Sequence, residues 1–434
     1  MRILQVRDPG FRHALESILS RGREDQAVEG KVREILARVR REGDKALFEY
    51  AKLYDGAPLS SSSIRVSPEE VKGAYGKADS KEVEALHLAT SRIMAFHQRG
   101  LSSSWMVAEE EGVILGQLCR PLERVGLYVP GGKAAYPSSV LMAALPARAA
   151  GVPHVSMCTP VGPDLMVNPY VLVAADLAGI REIYKVGGAQ DIAALAFGTE
   201  SIPKVDKIVG PGNIYVTAAK RLVYGQVDID IIAGPSEILV IADYSADPAL
   251  VAADLLSQAE HDEQAMALLI TNSEDLAHKV LGEVKARLEG LPRREIAEAA
   301  LERHGAALVV ENLEQAIELA NEIAPEHLEL LVEDPWVWLS CIKNAGAVFL
   351  GPFSPEAVGD YLAGPSHVLP TGGTARFLSP LSVEDFLKRT SLISFSAAAL
   401  KEVGEKAMVL ARMEGLIAHE QALKARLGNE KDQP

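Results

Sequence analysis

The chain has 434 residues, with 44 lysines and arginines against 59 aspartates and glutamates, so its formal net charge is −15. Hydrophobic residues make up 48% and charged residues 24% of the chain, proportions typical of soluble globular domains, which excludes wholesale disorder. The acidity also argues against a nucleic-acid-binding protein, because phosphate recognition needs a basic face.

Cysteine content and the N-terminus indicate the cellular compartment. Three cysteines, Cys119, Cys158 and Cys341, lie far apart in the chain, which argues against a disulfide framework and a cysteine zinc site. The N-terminus carries charges throughout and lacks the apolar core of a signal peptide. The longest uncharged stretches, 149–163 and 361–375, are too short to span a bilayer. We therefore expect a cytoplasmic protein with no membrane partner.

The predicted elements divide the chain into four parts. Residues 1–105 predict a helical N-terminal segment that packs on the rest, because apolar residues recur at three- and four-residue spacings. Strands and helices alternate in a first α/β unit at 106–229 and in a second at 230–380. Residues 381–434 predict a closing helical segment. Serial β–α units favour parallel sheets, with a ligand cleft at the carboxyl ends of the strands or between the units.

Glycine-rich turns follow three predicted strands of the first unit, at 131–132, 187–188 and 210–213. The main-chain N–H groups of such turns can hold phosphate. However, the chain has no GxGxxG fingerprint, and turns between strands and helices often use glycine anyway. The fold class predicted is therefore α/β, with two incomplete Rossmann-like parallel-sheet units and flanking helical segments.

Candidate metal ligands cluster around the second unit. Gln258 and His261 are three residues apart at the end of a predicted helix, so both side chains lie on one helix face. Asp360 offers a carboxylate, and His367 and His419 offer further nitrogens. Taken alone, a histidine near a helix end is more often a solvated or capping residue than a ligand.

Candidate acid–base residues occur at two places. Glu326 and His327 are adjacent at a junction between a helix and a strand, where burial would tune a carboxyl and an imidazole toward neutral pH. Glu414 and His419 lie near the end of the last long helix. Ordinary polar loop residues remain an alternative interpretation of both pairs.

Seven segments, in order along nearly the whole chain, resemble histidinol dehydrogenases, the enzymes of the last two steps of histidine biosynthesis. They are GLYVPGGKAAYPSSVLMAALPARAAGV, VGGAQDIAALAFGTESIPKVDKIVGPGNIYVTAAK, IAGPSEILVIAD, SQAEHDEQAMALLIT, APEHLEL, NAGAVFLGPFSPEAVGDYLAGPSHVLPTGGTARF and EGLIAHEQA. The resemblance implies a zinc- and NAD-dependent oxidation of L-histidinol to L-histidine through L-histidinaldehyde, using two NAD. It also implies a homodimer with shared active sites.

The resemblance also implies a role for individual residues of this chain. One zinc ion per subunit would be bound by Gln258, His261, Asp360 and His419, the last from the partner subunit. The catalytic residues would be Glu326 and His327. The substrate would contact Ser236, Gln258, His261, His327, Asp360, Glu414 and His419. NAD would contact Tyr128, Gln190 and Asn213.

Together, the residues and the resemblance lead to one mechanistic hypothesis. Zinc anchors the substrate, His327 takes the alcohol proton as hydride leaves to NAD, and Glu326 activates the water that attacks the aldehyde. The incomplete nucleotide-binding unit predicts modest affinity for NAD. Two other classes remain open: a zinc hydrolase that needs no NAD, and a non-catalytic α/β ligand-binding module.

Overall fold

The computed structural model describes residues 1–20, 26–131, 135–232 and 234–428, so Gly132 of the first predicted glycine turn lies outside the described residues. The strands are β1 (Arg2–Gln5), β2 (Trp105–Glu110), β3 (Val113–Pro121), β4 (Arg124–Tyr128), β5 (His154–Cys158), β6 (Glu182–Tyr184), β7 (Lys207–Val209), β8 (Asp228–Ile229), β9 (Glu237–Ala242), β10 (Met266–Thr271), β11 (Gly305–Val309), β12 (His327–Leu331), β13 (Ala347–Leu350) and β14 (Leu387–Phe395).

The helices alternate with these strands through most of the chain. They are α1 (Phe11–Leu19), α2 (Gln26–Glu42), α3 (Asp44–Asp55), α4 (Pro68–Tyr75), α5 (Ser80–Gln98), α6 (Pro137–Ala149), α7 (Pro169–Leu177), α8 (Gly188–Phe197), α9 (Ile214–Val223), α10 (Pro248–Ala259), α11 (Glu274–Leu288), α12 (Arg294–His304), α13 (Leu313–Ile323), α14 (Glu356–Tyr361), α15 (Ala397–Met413) and α16 (Ile417–Leu427). Within the part of the chain that the structure describes, no helix combines the length and hydropathy needed to cross a bilayer.

The chain forms two compact units, and from here on "first unit" and "second unit" refer to these rather than to the two α/β units predicted from the sequence. The first contains residues 1–100 and 122–386, and the second contains residues 101–121 together with the chain from 387 onward. The first unit holds two parallel sheets, in the strand orders β1-β11-β10-β9-β12-β13 and β6-β5-β4-β7-β8. These sheets and their covering helices confirm the predicted α/β class.

The six-stranded sheet is covered by helices on both faces. In β9, Ile238 and Val240 pack toward α10, α11 and α12, whereas Leu239 and Ile241 pack toward α1 and α13. All six residues of β9 are buried. A strand buried on both faces needs apolar side chains in a continuous run, which is why this segment reads ILVIA rather than alternating.

The structure differs from the sequence prediction at both flanking segments. In the N-terminal segment, β1 is a strand, and it pairs in parallel with β11 at the edge of the six-stranded sheet. In the C-terminal segment, expected to be helical, β14 pairs antiparallel with β3, which also pairs with β2. Both strands pair with partners remote in the chain, and local periodicity carries no information about such partners. Helices α15 and α16 follow β14 and pack on one another, with Gly404 against Leu427.

Candidate active site

The predicted acid–base pair lies at the amino end of strand β12. Helix α13 ends at Ala324, which adopts a left-handed backbone (φ 54°), and Pro325 then stiffens the turn. Glu326 follows, and His327 opens β12 between β9 and β13. The sequence predicts a cleft either at the carboxyl ends of the strands or between the two α/β units. This pair does not lie at a carboxyl end, because both residues come from a turn that enters a strand. The second alternative stays a prediction.

His327 is buried and held in one orientation. Its Nδ1 lies 2.8 Å from the carbonyl oxygen of Glu237, and its Nε2 lies 3.9 Å from Oε1 of Glu356. Since a carbonyl only accepts hydrogen bonds, Nδ1 carries the proton and Nε2 presents a free lone pair in the neutral ring. Burial lowers the pKa of His327 to about 4. The ring is therefore a neutral proton acceptor at pH 7.

Glu326 is buried next to His327. Its Oε2 accepts the main-chain N–H of Glu237 at 2.8 Å and lies 3.7 Å from Nδ1 of His327. Burial raises the pKa of Glu326 well above its usual range, and the nearby carboxyls of Glu237, Glu356 and Asp360 raise it further. A carboxyl with a raised pKa is a stronger base once it ionises.

Three side chains form a candidate metal centre in the first unit. One ligand atom from each of His261, Glu356 and Asp360 lies within 4.8 Å of the others. Burial, with the neighbouring Asp360, raises the pKa of Glu356 to about 8, and burial raises the pKa of Asp360 to about 6. A bound cation would offset the electrostatic repulsion between two ionised carboxylates placed this close together. Nitrogen and carboxylate oxygen ligands suit zinc among other divalent ions.

Gln258 lies on α10, three residues before His261, and its side chain is fully buried. Neither atom of its amide has a hydrogen-bond partner among the described residues. Buried amides in folded proteins are nearly always bonded, so an amide without a protein partner fits a residue that binds a metal ion or a substrate. Ser236, the other predicted substrate contact nearby, is half-buried and immediately precedes Glu237.

Three acids near Glu326 and His327, namely Glu237, Glu329 and Glu356, had no role predicted from the sequence, whereas His367 was a candidate metal ligand. Glu237 contacts Glu326 and His327, and Glu329 accepts the main-chain N–H of Glu356 at 2.7 Å. Glu356 joins the metal cluster, and Nδ1 of His367 lies 3.8 Å from Oδ1 of Asp360. A signal was available for Glu237 and Glu329, because each is an acid in an otherwise apolar strand.

The residues expected to contact NAD lie at the carboxyl ends of the five-stranded sheet. Tyr128 ends β4, Gln190 lies in the first turn of α8 after β6, and Asn213 caps α9 after β7. Oδ1 of Asn213 accepts the N–H groups of Tyr215 and Val216 at 3.0 and 3.1 Å. A Cβ at Gly212 would lie 3.2 Å from the Tyr128 ring, so Tyr128 and the 210–213 turn are neighbours.

Two predicted site residues belong to the second unit. Glu414 caps the end of α15, and His419 lies in the first turn of α16. Both side chains are exposed. A left-handed Gly415 (φ 72°) joins the two helices. His261, Asp360 and the pair Glu326–His327, by contrast, all belong to the first unit.

Comparison with known proteins identifies the family. The family model described as histidinol dehydrogenase matches residues 19–427. A histidinol dehydrogenase of Syntrophotalea carbinolica is 54% identical over 98% of this chain and 99% of its own, and that of Moorella thermoacetica is 57% identical over 92% and 95%. The crystal structure of histidinol dehydrogenase from Elizabethkingia anophelis superposes with a TM-score of 0.94 at 38% identity, covering 100% of this chain and 99% of that one. The chain therefore belongs to the histidinol dehydrogenase family.

Proposed function

We propose that this chain catalyses the NAD-dependent oxidation of L-histidinol to L-histidine through L-histidinaldehyde. The family assignment supports an oxidoreductase of histidine biosynthesis. One observation carries the reaction itself: a neutral buried imidazole, His327, lies beside a buried carboxyl, Glu326, and within 3.9 Å of the candidate metal cluster. We also propose a cytoplasmic location, because the reaction consumes NAD and supplies an amino acid.

We propose that zinc is the metal, bound by Gln258, His261 and Asp360 of one subunit and by His419 of the partner subunit. The close approach of His261 and Asp360 and the unpartnered amide of buried Gln258 fit this assignment. When bound, zinc supplies a Lewis acid that anchors the imidazole and amine of the substrate. Glu356 lies in the same cluster and offers a further carboxylate.

His327 acts as the base in the first oxidation. Its Nδ1–H is committed to the carbonyl of Glu237, so Nε2 is the atom that takes the proton of the substrate hydroxyl. The oxygen of Glu356 near Nε2 stabilises the resulting imidazolium when that carboxyl is ionised. NAD, when bound, accepts the hydride that leaves the carbon bearing that hydroxyl.

Glu326 acts in the second oxidation. When ionised, its carboxylate takes a proton from the water that attacks the aldehyde and returns it to the former carbonyl oxygen, which gives the hydrate. A second NAD, when bound, would accept the hydride from the hydrate carbon, which leaves the acid. The raised pKa of Glu326 makes it a better base than an ordinary carboxylate. Neither step uses a thiol, and Cys158 is fully buried in strand β5.

NAD is proposed to bind at the carboxyl ends of the five-stranded sheet, against Tyr128, Gln190 and Asn213. The approach of Tyr128 to the 210–213 turn supports a common surface there. Because the turn lacks the full GxGxxG pattern, we expect modest affinity for NAD.

We propose a homodimer in which the second unit is exchanged, so that Glu414 and His419 complete the site of the partner subunit. The second unit carries many exposed large apolar side chains, a surface typical of one that is covered by another chain. They are Leu101, Trp105, Met106, Ile114, Leu115, Ile393, Phe395, Val403, Val409, Leu410, Met413, Leu416 and Ile417.

One assay tests the proposal. NADH formation is followed by absorbance with L-histidinol, after treatment with a chelator and after zinc is restored. We expect turnover that the chelator abolishes and zinc recovers, with other amino alcohols as controls. E326Q should lose aldehyde oxidation by about 10²–10⁴-fold and alcohol oxidation far less. Metal-dependent amide hydrolysis without NAD would instead indicate a hydrolase, and binding without turnover a ligand-binding module.

A further inference from the structure

Glu237 is a buried acid that contacts both members of the acid–base pair. It opens strand β9, and its side chain is only 1% exposed. We propose that Glu237 is a positioning residue that fixes the orientation of the His327 ring and the Glu326 carboxyl for both oxidation steps. This inference rests on the roles proposed above for those two residues.

The main chain of Glu237 holds both catalytic side chains. Its carbonyl oxygen accepts the Nδ1–H of His327 at 2.8 Å, and its N–H donates to Oε2 of Glu326 at 2.8 Å. Strand β9 pairs with β10 on one side and β12 on the other, so this stretch of main chain is rigid. The His327 ring and the Glu326 carboxyl are therefore both held by the main chain of a single residue, Glu237.

The carboxylate of Glu237 locks that main chain to its surroundings. Its Oε1 accepts the N–H of Gly372 at 2.7 Å, and its Oε2 accepts the N–H of Glu326 at 3.3 Å. A carboxylate accepts hydrogen bonds at both oxygens, whereas the amide of glutamine would turn an NH2 group toward one of these donors. Only the acid satisfies both N–H groups.

A carboxylate at this position is costly for the fold. Burying it requires desolvation that hydrogen bonds only partly offset, and an apolar residue would continue the apolar run of β9 without that cost. This carboxylate accepts the main-chain N–H of Glu326. That contact indicates a role in orienting the site rather than in packing.

The same strand supplies a matched control. Asp243 follows the other end of β9 and is also buried. Its Oδ1 accepts the N–H of Ser245 at 2.9 Å, and its Oδ2 accepts the N–H of Glu333 at 3.1 Å. Asp243→Asn therefore removes the same kind of double acceptor from the strand without touching Glu326 or His327.

The test compares E237Q, E237D and D243N in the full-length, zinc-loaded protein. The measurements are zinc content, thermal midpoint, KM for L-histidinol, and kcat for alcohol and for aldehyde oxidation. For E237Q we expect kcat to fall by about 10²-fold, with KM and zinc content near those of the wild type. Aldehyde oxidation should fall more than alcohol oxidation, because the carboxylate bonds directly to the main chain of Glu326. D243N should lose thermal stability but keep kcat.

Two results would overturn the role of Glu237: a wild-type kcat in E237Q, or an equal loss of kcat in D243N. If E237Q fails to fold, E237D decides, since it keeps both acceptor oxygens on a shorter side chain and should lower kcat at constant KM. Wild-type kcat in a folded E237D would then count against the proposal. Failure of the proposed function would give a different result from failure of the Glu237 role. Either the wild type would not turn over, or E326Q and H327A would turn over normally.

Discussion

Lys220 and Asp230 form a buried ion pair beneath the turn at 210–213. Oδ2 of Asp230 accepts the N–H of Gly210 at 2.8 Å, and Nζ of Lys220 donates to the carbonyl oxygen of Gly210 at 2.9 Å. Gly210 has a φ of 122°, and a Cβ there would collide with the carbonyl oxygen of Tyr128. The ion pair thus fixes both polar main-chain groups of the residue that starts the proposed NAD-binding turn.

Lys220→Met should weaken NAD binding. The change leaves Asp230 buried without its cation and frees the carbonyl of Gly210, so the 210–213 turn loses its fixed position. We expect KM for NAD to rise by about tenfold, equivalent to about 1.4 kcal/mol, while KM for L-histidinol stays within a factor of two. Steady-state kinetics with each substrate varied in turn measures both constants.

Lys207→Met is the matched control for that variant. Lys207 opens β7, the strand that leads into the turn, and Nζ of Lys207 lies 3.0 Å from Asp228. Its loss removes a mostly buried lysine and an ion pair at the opposite end of the strand. A rise in KM for NAD of the same size in both variants would mean that general destabilisation, and not the turn, is the cause.

The rate of alcohol oxidation should be insensitive to mild acid. Burial lowers the pKa of His327 to about 4, so its Nε2 remains unprotonated from about pH 7 down to about pH 5. A histidine with the usual pKa near 6.5 would lose its function as base over this range. Single-turnover alcohol oxidation with the zinc content checked at each pH measures the effect. An acid limb centred near pH 6.5 would contradict the assignment of His327 as the base.

The metal cluster predicts a stabilisation of the fold by zinc. Without a cation, the carboxyl of buried Glu356 lies close to that of half-buried Asp360, which disfavours the ionised form of each. A ligand at a hundredfold excess over its Kd stabilises the folded state by about 2.7 kcal/mol. We therefore expect a chelator to lower the thermal midpoint by several degrees and added zinc to restore it. The measurement is scanning calorimetry on the protein with and without zinc.

Asp360→Asn should abolish most of that zinc-dependent shift, because it removes one anionic ligand. Glu260→Gln is the control, since Glu260 adjoins His261 in the chain but is not a member of the cluster. A zinc-dependent shift that survives in the Asp360 variant would place the ion elsewhere.

Much of the candidate site could be predicted from the sequence, because its residues occur in short, distinctive segments. The helix–strand junction at 324–329 and the helix end at 258–261 are local features, and the structure has both in the first unit. The role of Glu237 could not be read in this way, because its contacts with Glu326 and His327 pass through main-chain atoms of a strand remote in the chain. Strand β14 was missed for a related reason, since what makes it a strand is its pairing with β3.

Asp191 is a buried acid that the proposed chemistry does not use. It lies in the first turn of α8, fully buried, and neither of its carboxyl oxygens has a nitrogen or oxygen partner within the described part of the chain. Its polar neighbour is the thiol of Cys158, a weak donor. Burial raises the pKa of Asp191 well above its usual range, so the folded protein keeps a proton that the unfolded chain releases above about pH 4.

Asp191→Ala should therefore stabilise the protein. Because the folded-state pKa is raised, Asp191 lowers the free energy of unfolding increasingly as pH rises above about 4, and the gain should be larger at pH 8 than at pH 5. We expect the free energy of unfolding to rise by about 1–3 kcal/mol, the usual cost of an unsatisfied buried polar group.

Asp44→Ala is the control. Asp44 is also buried in a first helical turn, but it accepts hydrogen bonds from the N–H and hydroxyl of Ser201 at 3.2 and 2.5 Å. Its loss should destabilise the fold, and urea unfolding at both pH values measures each variant. Destabilisation by Asp191→Ala at pH 8 would show that its carboxyl has a partner, such as a bound water.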